Sequence, residues 1–589
     1  MNFLKRLYDY YLMNQKAKDS DGKNIFPPYG YYYARASHQL NLTASGQFDS
    51  FSNVDKDVFL PDAQSPFDDC RTSKILPFPL SDNFKYMFGG CFDKTKSSLE
   101  TGVYQKHFDS FFKLHEEIFQ ATGNKSLKAF LKFLEDWKNK SGSYRKAYDA
   151  ILSVLLSSKA KRDRIIVRVA GNYLHEQADL LKYWDKKVND YKAEVGVCCV
   201  TGDRQPLRLL HGKITGINNT SVSGAPLISF NCSAHESYSG KANVGCKVEF
   251  GYRTTLNLFT RSDPSNPNKI RIGGDDVVFW TMKHKDNLFC HIIKQIFGKE
   301  EEDTTPLIKS ALVSVREGRV PDKLPGDDTF CLAILTGNNG RIFVRDVLEH
   351  SLQDIANAVK QHCTDTAWSG RSVAPSLVSL AMATVSGGSN ADPSPVIYRD
   401  LLHSVLEGVQ YPINAVIVAL NYCLNPKGDT SNRIALIKGY LCRKLRQEGK
   451  EEISMALDKN RTSVGYLLGR FLAMGDYIQA ISIGRAPNSG LSDTYRSSLC
   501  VTPSMVFSTI SAKIDCHLSK IKRNTPGFGI MLSREYSSIL DKLSSIPSIL
   551  KFDEQAEFVL GFAHQTQDRY TKKSVTETTT PLTNNQEAV

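Results

Sequence analysis

The sequence predicts an α+β fold, with a mixed α/β N-terminal and middle region followed by a C-terminal helical bundle. Three observations carry this. Short alternating segments broken by Pro and Gly fill the first hundred residues, aromatic residues recur at helical spacing from His107, and the last third is helical in period almost throughout. At 589 residues the chain far exceeds the ~100–200 of one domain, so several folding units are expected.

In the first segment, 1–194, Pro27-Pro28-Tyr29-Gly30 and Pro77-Phe78-Pro79 mark turns between strands rather than long helices. Phe108, Phe111, Phe112 and Phe119 then share one helical face, and so do Leu127, Phe130, Leu131 and Leu134 before Trp137. Tyr148, Ile151, Leu152 and Leu155 continue the pattern, as does the stretch from Leu174 to Trp184. Between 195 and 347 the runs Leu227-Ile228-Ser229-Phe230, Val248-Glu249-Phe250, Val277-Val278-Phe279-Trp280 and Phe330 to Leu335 read as short strands of a sheet. A helical connector, 348–454, and a helical bundle, 455–573, follow. In the bundle Tyr536, Ile539, Leu540 and Leu543 form one face, and Phe558, Val559 and Phe562 belong to a closing helix. Residues 574–589 are rich in Thr, Asn and Glu without an apolar period and are expected to be a disordered tail.

Composition narrows the function classes. Hydrophobic residues make up 41% and charged ones 23%, which suits a protein with real cores. No apolar run approaches the ~20 residues of a membrane helix; Tyr411 to Leu424 is interrupted by Asn414 and Asn421. The start lacks the pattern of a signal peptide, so a soluble cytoplasmic protein is expected. Thirteen scattered cysteines without a Cys-x-x-Cys point to reduced thiols and to no structural zinc. The net charge of +12, from 74 basic and 62 acidic residues, is compatible with a polyanionic partner.

The string most suggestive of chemistry is Gly273-Gly274-Asp275-Asp276 between two β-rich runs. Adjacent aspartates on such a turn can hold divalent cations for nucleotidyl chemistry, as in a cyclase or palm polymerase, if a third carboxylate joins them. Glu249 is the only candidate on a nearby expected strand. The competing reading is an ordinary hairpin turn, for which Gly and Asp are favoured. No phosphate-binding loop, nucleophile elbow or His-Glu-x-x-His is present, so no catalytic role, metal or cofactor is expected.

Two other regions have the chemistry of nucleic-acid contacts. Arg71-Thr72-Ser73-Lys74 and Asn83-Phe84-Lys85-Tyr86 combine cations, an amide and small hydroxyls. Cations anchor phosphates, and amides can read base edges. The run from Lys213 to Gly224, with Asn218, Asn219, Ser221 and Ser223, is polar and Gly-punctuated, so its backbone can approach a duplex closely; it equally fits a surface loop.

These strings resemble the large subunit of the type I-C CRISPR surveillance complex (Cascade). The resemblance is carried by Val200-Thr201-Gly202-Asp203, His211-Gly212-Lys213-Ile214, Ser223-Gly224-Ala225, Ile228-Ser229-Phe230-Asn231, Glu236-Ser237-Tyr238 and Val278-Phe279-Trp280. Leu7-Tyr8-Asp9-Tyr10-Tyr11, Arg71-Thr72-Ser73, Asp82 to Tyr86, Asn338-Asn339-Gly340-Arg341, Tyr466 to Arg470 and Gly561 to Gln565 extend it over nearly the whole chain. The chain departs from the family in Ser221-Val222-Ser223, where a Gln-Ser-Ser-like string is usual. It departs again at Asp276, where the family has an uncharged residue.

What the resemblance implies is a non-catalytic DNA-binding subunit beside the 5′ end of the guide crRNA. Such a subunit recognises the protospacer-adjacent motif of double-stranded DNA, promotes R-loop opening, supports the displaced strand and recruits a helicase–nuclease. Its partners would be the backbone subunits, the crRNA-processing subunit at the 5′ handle and the small subunits, with no membrane involved. Arg71, Lys74, Asn83 and Lys85 are the expected motif contacts. Lys213, Asn218, Asn219, Ser221 and Ser223 would form a second lip, with Lys241 and Asn243 adjoining. Lys513, Lys520, Lys522 and Arg523 would guide the displaced strand electrostatically. The family makes its small subunit from within this gene, and the purine-rich codons of Glu448 to Glu452 place an internal start at Met455, with Met474 as its rival.

Overall fold

The alternation from Tyr31 to Pro61 forms a long antiparallel hairpin, β1 (Tyr31–Leu42) and β2 (Phe48–Pro61), in the computed structural model of the chain. The structure describes residues 3–576 except 19–21, 23, 65–66, 68, 70, 72–73, 94–97, 158–163, 230–241, 264, 284–286, 300–304, 386–391, 427 and 485–488. The fold is α+β, with 51% helix and 18% strand. Contacts divide the chain into two units, residues 1–266 with 334–347, and 267–333 with 348–589, so the segment 195–347 contributes to both.

In the first unit, α1 (Phe3–Asn14) precedes the hairpin, and β3 (Ser81–Asp82), α2 (Phe84–Met87) and the small hairpin β4 (Cys91–Asp93) and β5 (Ser98–Glu100) follow it. Helices α3 (Gln105–Thr122), α4 (Lys125–Asn139) and α5 (Tyr144–Ser157) then lead to β6 (Ile165–Val169), β7 (Asn172–Tyr173) and α6 (Ala178–Asp190). The sheet order is β2-β1-β6-β3, with β7 on β6. Because β6 runs parallel to β1, the chain must cross over between them, and α3 to α5 are that crossover. Their apolar faces, including Phe111, Phe130, Leu134 and Trp137, bury Leu40, Leu42, Ile165 and Val167 of the sheet. Gly123 closes α3 in the left-handed conformation, and Asn124 opens α4 by accepting a hydrogen bond from Leu127 N at 2.7 Å.

The first unit ends with two small hairpins, β8 (Val195–Val197) with β9 (Arg204–Pro206) and β10 (Lys213–Ile214) with β11 (Ala225–Pro226), and with α7 (Cys246–Phe259). Helix α1 packs on α7 through Tyr10 against Phe259 and Tyr11 against Phe250. Gly251 lets the helices close, since a Cβ there would fall 2.5 Å from the Tyr8 ring.

The second unit opens with β12 (Lys269–Ile272) and β13 (Asp275–Thr281), then α8 (Leu288–Phe297) and α9 (Pro306–Arg316). Strands β14 (Thr329–Asn338) and β15 (Arg341–Ser351) carry the chain into the first unit and back. Among the described residues ten helices follow: α10 (Leu352–Thr366), α11 (Leu377–Met382), α12 (Pro395–Leu406), α13 (Ile413–Leu424), α14 (Ser431–Gln447), α15 (Val464–Ile483), α16 (Leu491–Val501), α17 (Pro503–Asn524), α18 (Pro526–Leu540) and α19 (Phe552–Thr576). Helices α15 and α19 pack at backbone distance. A Cβ on Gly465, Gly469 or Gly561 would lie 2.0, 2.0 or 2.1 Å from a carbonyl oxygen of the facing helix.

Some sequence expectations are corrected. Val248-Glu249-Phe250 lies within α7, not a strand, because the helix is buried nearly all round and so lacks the polar stripe that reveals helical period. Leu227 to Ser229 fall just beyond β11 in irregular chain and Phe230 lies outside the described residues, while a twelve-residue helix, α1, opens the segment expected to hold strands and turns rather than long helices. Val277 to Trp280 and Phe330 to Leu335 do lie in strands, β13 and β14. Of the expected tail, Ser574 to Thr576 end α19, and 577–589 lie outside the described residues.

Four of the buried histidines make stability pH-dependent. His115 Nδ1 faces Phe111 O at 2.7 Å and must donate, while its Nε2 accepts from Leu80 N at 3.0 Å, so a second proton has no acceptor. Burial lowers its pKa to about 4, and does the same for His175, His362 and His564. The unfolded chain takes up these protons near pH 6.5. The contribution of these histidines is therefore complete above 6.5 and declines as pH falls toward 4, by at most about 1.4 kcal/mol per pH unit for each. Urea unfolding between pH 7 and 4 is expected to show this decline, and His115→Gln to make it shallower by one histidine's share. An unchanged slope in the variant would contradict the assignment.

Candidate nucleic-acid interface

The two strings expected to meet nucleic acid lie in the first unit and are tied to each other from beneath. The first is organised around Asp82, which has no exposed surface. Its carboxylate accepts from Phe78 N at 2.8 Å, Asn83 N at 2.7 Å and the guanidinium of Arg71, and pairs with Arg164 at 3.4 Å. Arg71 also stacks on the rings of Tyr86 and Phe78, with centroids 3.8 and 4.7 Å away. Burial works against its charge, yet Asp82 and Tyr86 hold its pKa above the usual arginine value. Arg71 is thus committed within the chain. Asn83 caps α2, its Oδ1 accepting from Tyr86 N at 3.3 Å. Lys85 lies over the Tyr104 ring at 4.6 Å, and Lys74 pairs with Asp69.

The second string is a fixed loop between β10 and β11. Thr215 N and Oγ1 both donate to Asn257 Oδ1 on α7, at 2.9 and 3.1 Å, and Thr260 Oγ1 donates to Thr215 O at 2.7 Å. Gly216, at φ +82°, passes so close to α7 that a Cβ would lie 2.0 Å from Thr260 O. On its other side the loop joins the tip of the β14–β15 hairpin: Asn339 N donates to Asn219 O at 2.9 Å, and Ser221 N to Asn339 O at 3.3 Å. Asn219 and Asn339 both take the left-handed conformation that asparagine tolerates. The loop so held presents Asn219, Ser221, Val222 and Ser223 to solvent, with Val222 93% exposed. Lys213 Nζ donates to Ser223 Oγ at 3.2 Å, and the hydroxyls of Ser221 and Ser223 are 3.1 Å apart.

A buried ionic cluster joins the two strings. Glu249 of α7 accepts from Gly212 N at 2.9 Å, pairs with Arg253 Nε at 3.1 Å and has Arg208 at 4.0 Å. Arg253 reaches Asp62, at the end of β2, at 3.6 Å. Gln64 completes the tie, donating its N–H to Asp62 at 2.9 Å while its carbonyl accepts from Arg208 at 3.2 Å and its Oε1 from Arg71 N at 3.2 Å. Glu249 and Asp62 hold the buried Arg253 above the usual arginine pKa, against burial, which is the largest influence and acts to lower it.

Of the other expected contacts, Asn218 belongs to the loop, its carbonyl against Gly337, and Asn243 accepts through its backbone from Cys199 N at 2.7 Å. Lys241 lies outside the described residues. Lys513, Lys520, Lys522 and Arg523 are exposed on α17 in the second unit, with Lys513 donating to Tyr495 Oη at 2.8 Å. Val222, and Phe343 and Arg345 on β15, are also exposed in this unit, and the sequence reading gives them no role. The one signal for Val222 was an apolar residue amid polar neighbours. Asp275 and Asp276 both follow a two-residue Gly273-Gly274 turn at the start of β13, and the buried Asp276 pairs with Arg271 at 3.1 Å. Glu249, the suggested third carboxylate, is committed to the arginines of α7 and the 208–212 loop. Among the described residues no group of three or more His, Cys, Asp or Glu is placed to hold a metal ion.

A profile of the family described as CRISPR-associated protein (Cas_Csd1) matches residues 7–570. No curated protein matches the chain.

Removing one partner of a buried ion pair costs about 3–5 kcal/mol, because the charge left behind stays desolvated. Asp82→Asn is expected to lower unfolding stability in urea by about that amount. A loss under about 1 kcal/mol, the range of exposed pairs, would show that Asp82 is not the hub.

Proposed function

The chain belongs to the Cas_Csd1 family of CRISPR-associated proteins, and on that premise we propose that it is the non-catalytic large subunit of a type I-C Cascade complex. In this reading it recognises the protospacer-adjacent motif of double-stranded target DNA, promotes opening into an R-loop, supports the displaced strand and recruits the helicase–nuclease. It sits beside the 5′ end of the guide crRNA with the crRNA-processing, backbone and small subunits. Guide pairing carries the long sequence, so the protein needs only a few base contacts and shape.

The observation that supports this best is the fixed loop from Thr215 to Gly224. Its backbone is fastened on both sides before any ligand arrives, so little ordering entropy is lost on binding. Lys213 with the Ser221 and Ser223 hydroxyls suits phosphate oxygens, and the Asn219 amide suits base edges. Val222 at the tip is an apolar wedge of the kind that unstacks a base step. Lys74, Lys85 and the Asn83 amide lie on the string tied to this loop, whereas Arg71 supports them from within.

The test is binding of the reconstituted guide complex, with and without this chain, to duplexes with matched and altered flanking sequence. The chain is expected to create the preference. Asn219→Ala is expected to reduce it about tenfold, within the ~1–3 kcal/mol of one base contact, and Val222→Ser to slow opening of matched duplexes. If the chain strengthens all duplexes equally, the base-reading role fails.

We also place an internal translation start at Met455. This residue lies in the irregular stretch between α14 and α15, and α15 to α19 after it share a buried core including Leu472, Ile514, Leu532 and Phe558. Met474, the rival, is buried in the middle of α15, so starting there would cut that helix in two. Met455→Leu is expected to abolish a short C-terminal product on immunoblots while sparing the full chain. Persistence of the product would overturn this assignment.

A further inference from the structure

The chain's positive charge is unevenly spread. Between Lys125 and Arg164 eleven basic residues stand against four acidic ones, so 40 residues hold +7 of the total +12. Part of this charge is engaged: Arg164 with Asp82, Lys138 with Asp109 at 3.1 Å, and Arg145 with Asp149 at 3.0 Å. Lys125, Lys128 and Lys132 are not. They are exposed in a row on α4, and among the described residues none has a carboxylate within 4.0 Å. Their spacing of three and then four residues keeps them on one stripe, opposite the buried Leu127, Phe130, Leu134 and Trp137. The row spans about 10 Å along the helix axis, about three base-pair steps of a duplex.

The helix is held firmly. Asn124 caps it and also donates to Gln177 Oε1 at 2.6 Å and Asp179 Oδ2 at 2.7 Å on the adjoining segment, so the lysines project from a fixed rod.

We infer that this α4 stripe is a sequence-blind track for the phosphate backbone of duplex DNA, distinct from the loops that read the flanking motif. The chemistry selects this partner. Lysine ammonium groups are point charges without the planar fork with which arginine pairs and stacks, so a row of lysines suits phosphate oxygens better than base edges. The exposed positions of the stripe, continued by Glu135 and Asn139, offer no aromatic platform of the kind single strands use. They include no apolar side chain to enter a lipid surface either. The choice of duplex rests on the proposed function above, but the salt dependence tested below does not require any motif preference.

The experiment uses the full chain and a labelled 30-base-pair duplex of arbitrary sequence, with affinity measured across a series of salt concentrations. Each lost phosphate contact lowers the log–log salt slope by about 0.9. The triple variant Lys125→Gln, Lys128→Gln, Lys132→Gln is expected to lower the slope by about 2.7 and to weaken binding at least tenfold at low salt, with an unchanged melting temperature. A control with Lys182→Gln, Lys186→Gln and Lys192→Gln removes the same charge from α6 and its C-terminal end and is expected to leave the slope as it was. In the assembled complex the α4 variant is expected to weaken matched and altered flanks by the same factor. The inference is overturned by an unchanged slope, by an equal effect of the control, or by no duplex binding at 50 mM salt. It is overturned too if the stripe governs binding to phosphatidylserine vesicles instead. Loss of flank preference with the slope effect intact would instead count against the motif-reading function alone.

Discussion

A carboxylate with no exposed surface organises the first unit. Glu249 sits on α7 between Arg208 and Arg253, and Arg253 extends the contact to Asp62 at the end of β2. Burying such a cluster yields little net stability compared with apolar packing, because every charge must first be desolvated. What it confers here is placement. Gly212 N, Gln64 and through it Arg71 are all bound to these four side chains, so two strings about 140 residues apart in the chain become neighbours on one support. Gly212 fits this arrangement, since a Cβ there would lie 2.4 Å from Arg253 Cδ.

From this support the surface divides its work by residue type. Cations that hold the fold, such as Arg71, Arg164 and Arg253, are turned inward onto carboxylates and aromatic rings, and arginine suits that task because its planar group both pairs and stacks. Lys125, Lys128 and Lys132, by contrast, are exposed lysines on a helix capped by Asn124. A net charge of +12 therefore understates the local field, since over half of it belongs to one crossover segment.

The fold was legible where one physical demand dominated. The aromatic spacing in α3 and α4 marked their buried faces because those helices are half exposed, and the Gly-Gly turn marked the β12–β13 hairpin. It was illegible where burial was complete: α7 shows no polar stripe, and its Val-Glu-Phe reads as a strand. At the candidate site, residue type singled out strings by their chemistry but did not show how each side chain is held. Arg71 looked like a phosphate contact and is instead tied to Asp82, a pairing eleven residues away that no periodicity announces. Asn219 was singled out from its chemistry, whereas the exposure of Val222 depends on how Asn257 and Asn339 fasten the loop, which only the tertiary structure reveals.

Whether Glu249 holds the two strings is read by native-state hydrogen exchange in the parent chain and in Glu249→Gln. If the ionic cluster holds both strings, the amides from Phe78 to Met87 and from Gly212 to Gly224 lose protection together, while those of α3 and α4 keep theirs. Loss confined to Gly212–Gly224, or no loss in either segment, would show that the cluster does not hold the two strings together.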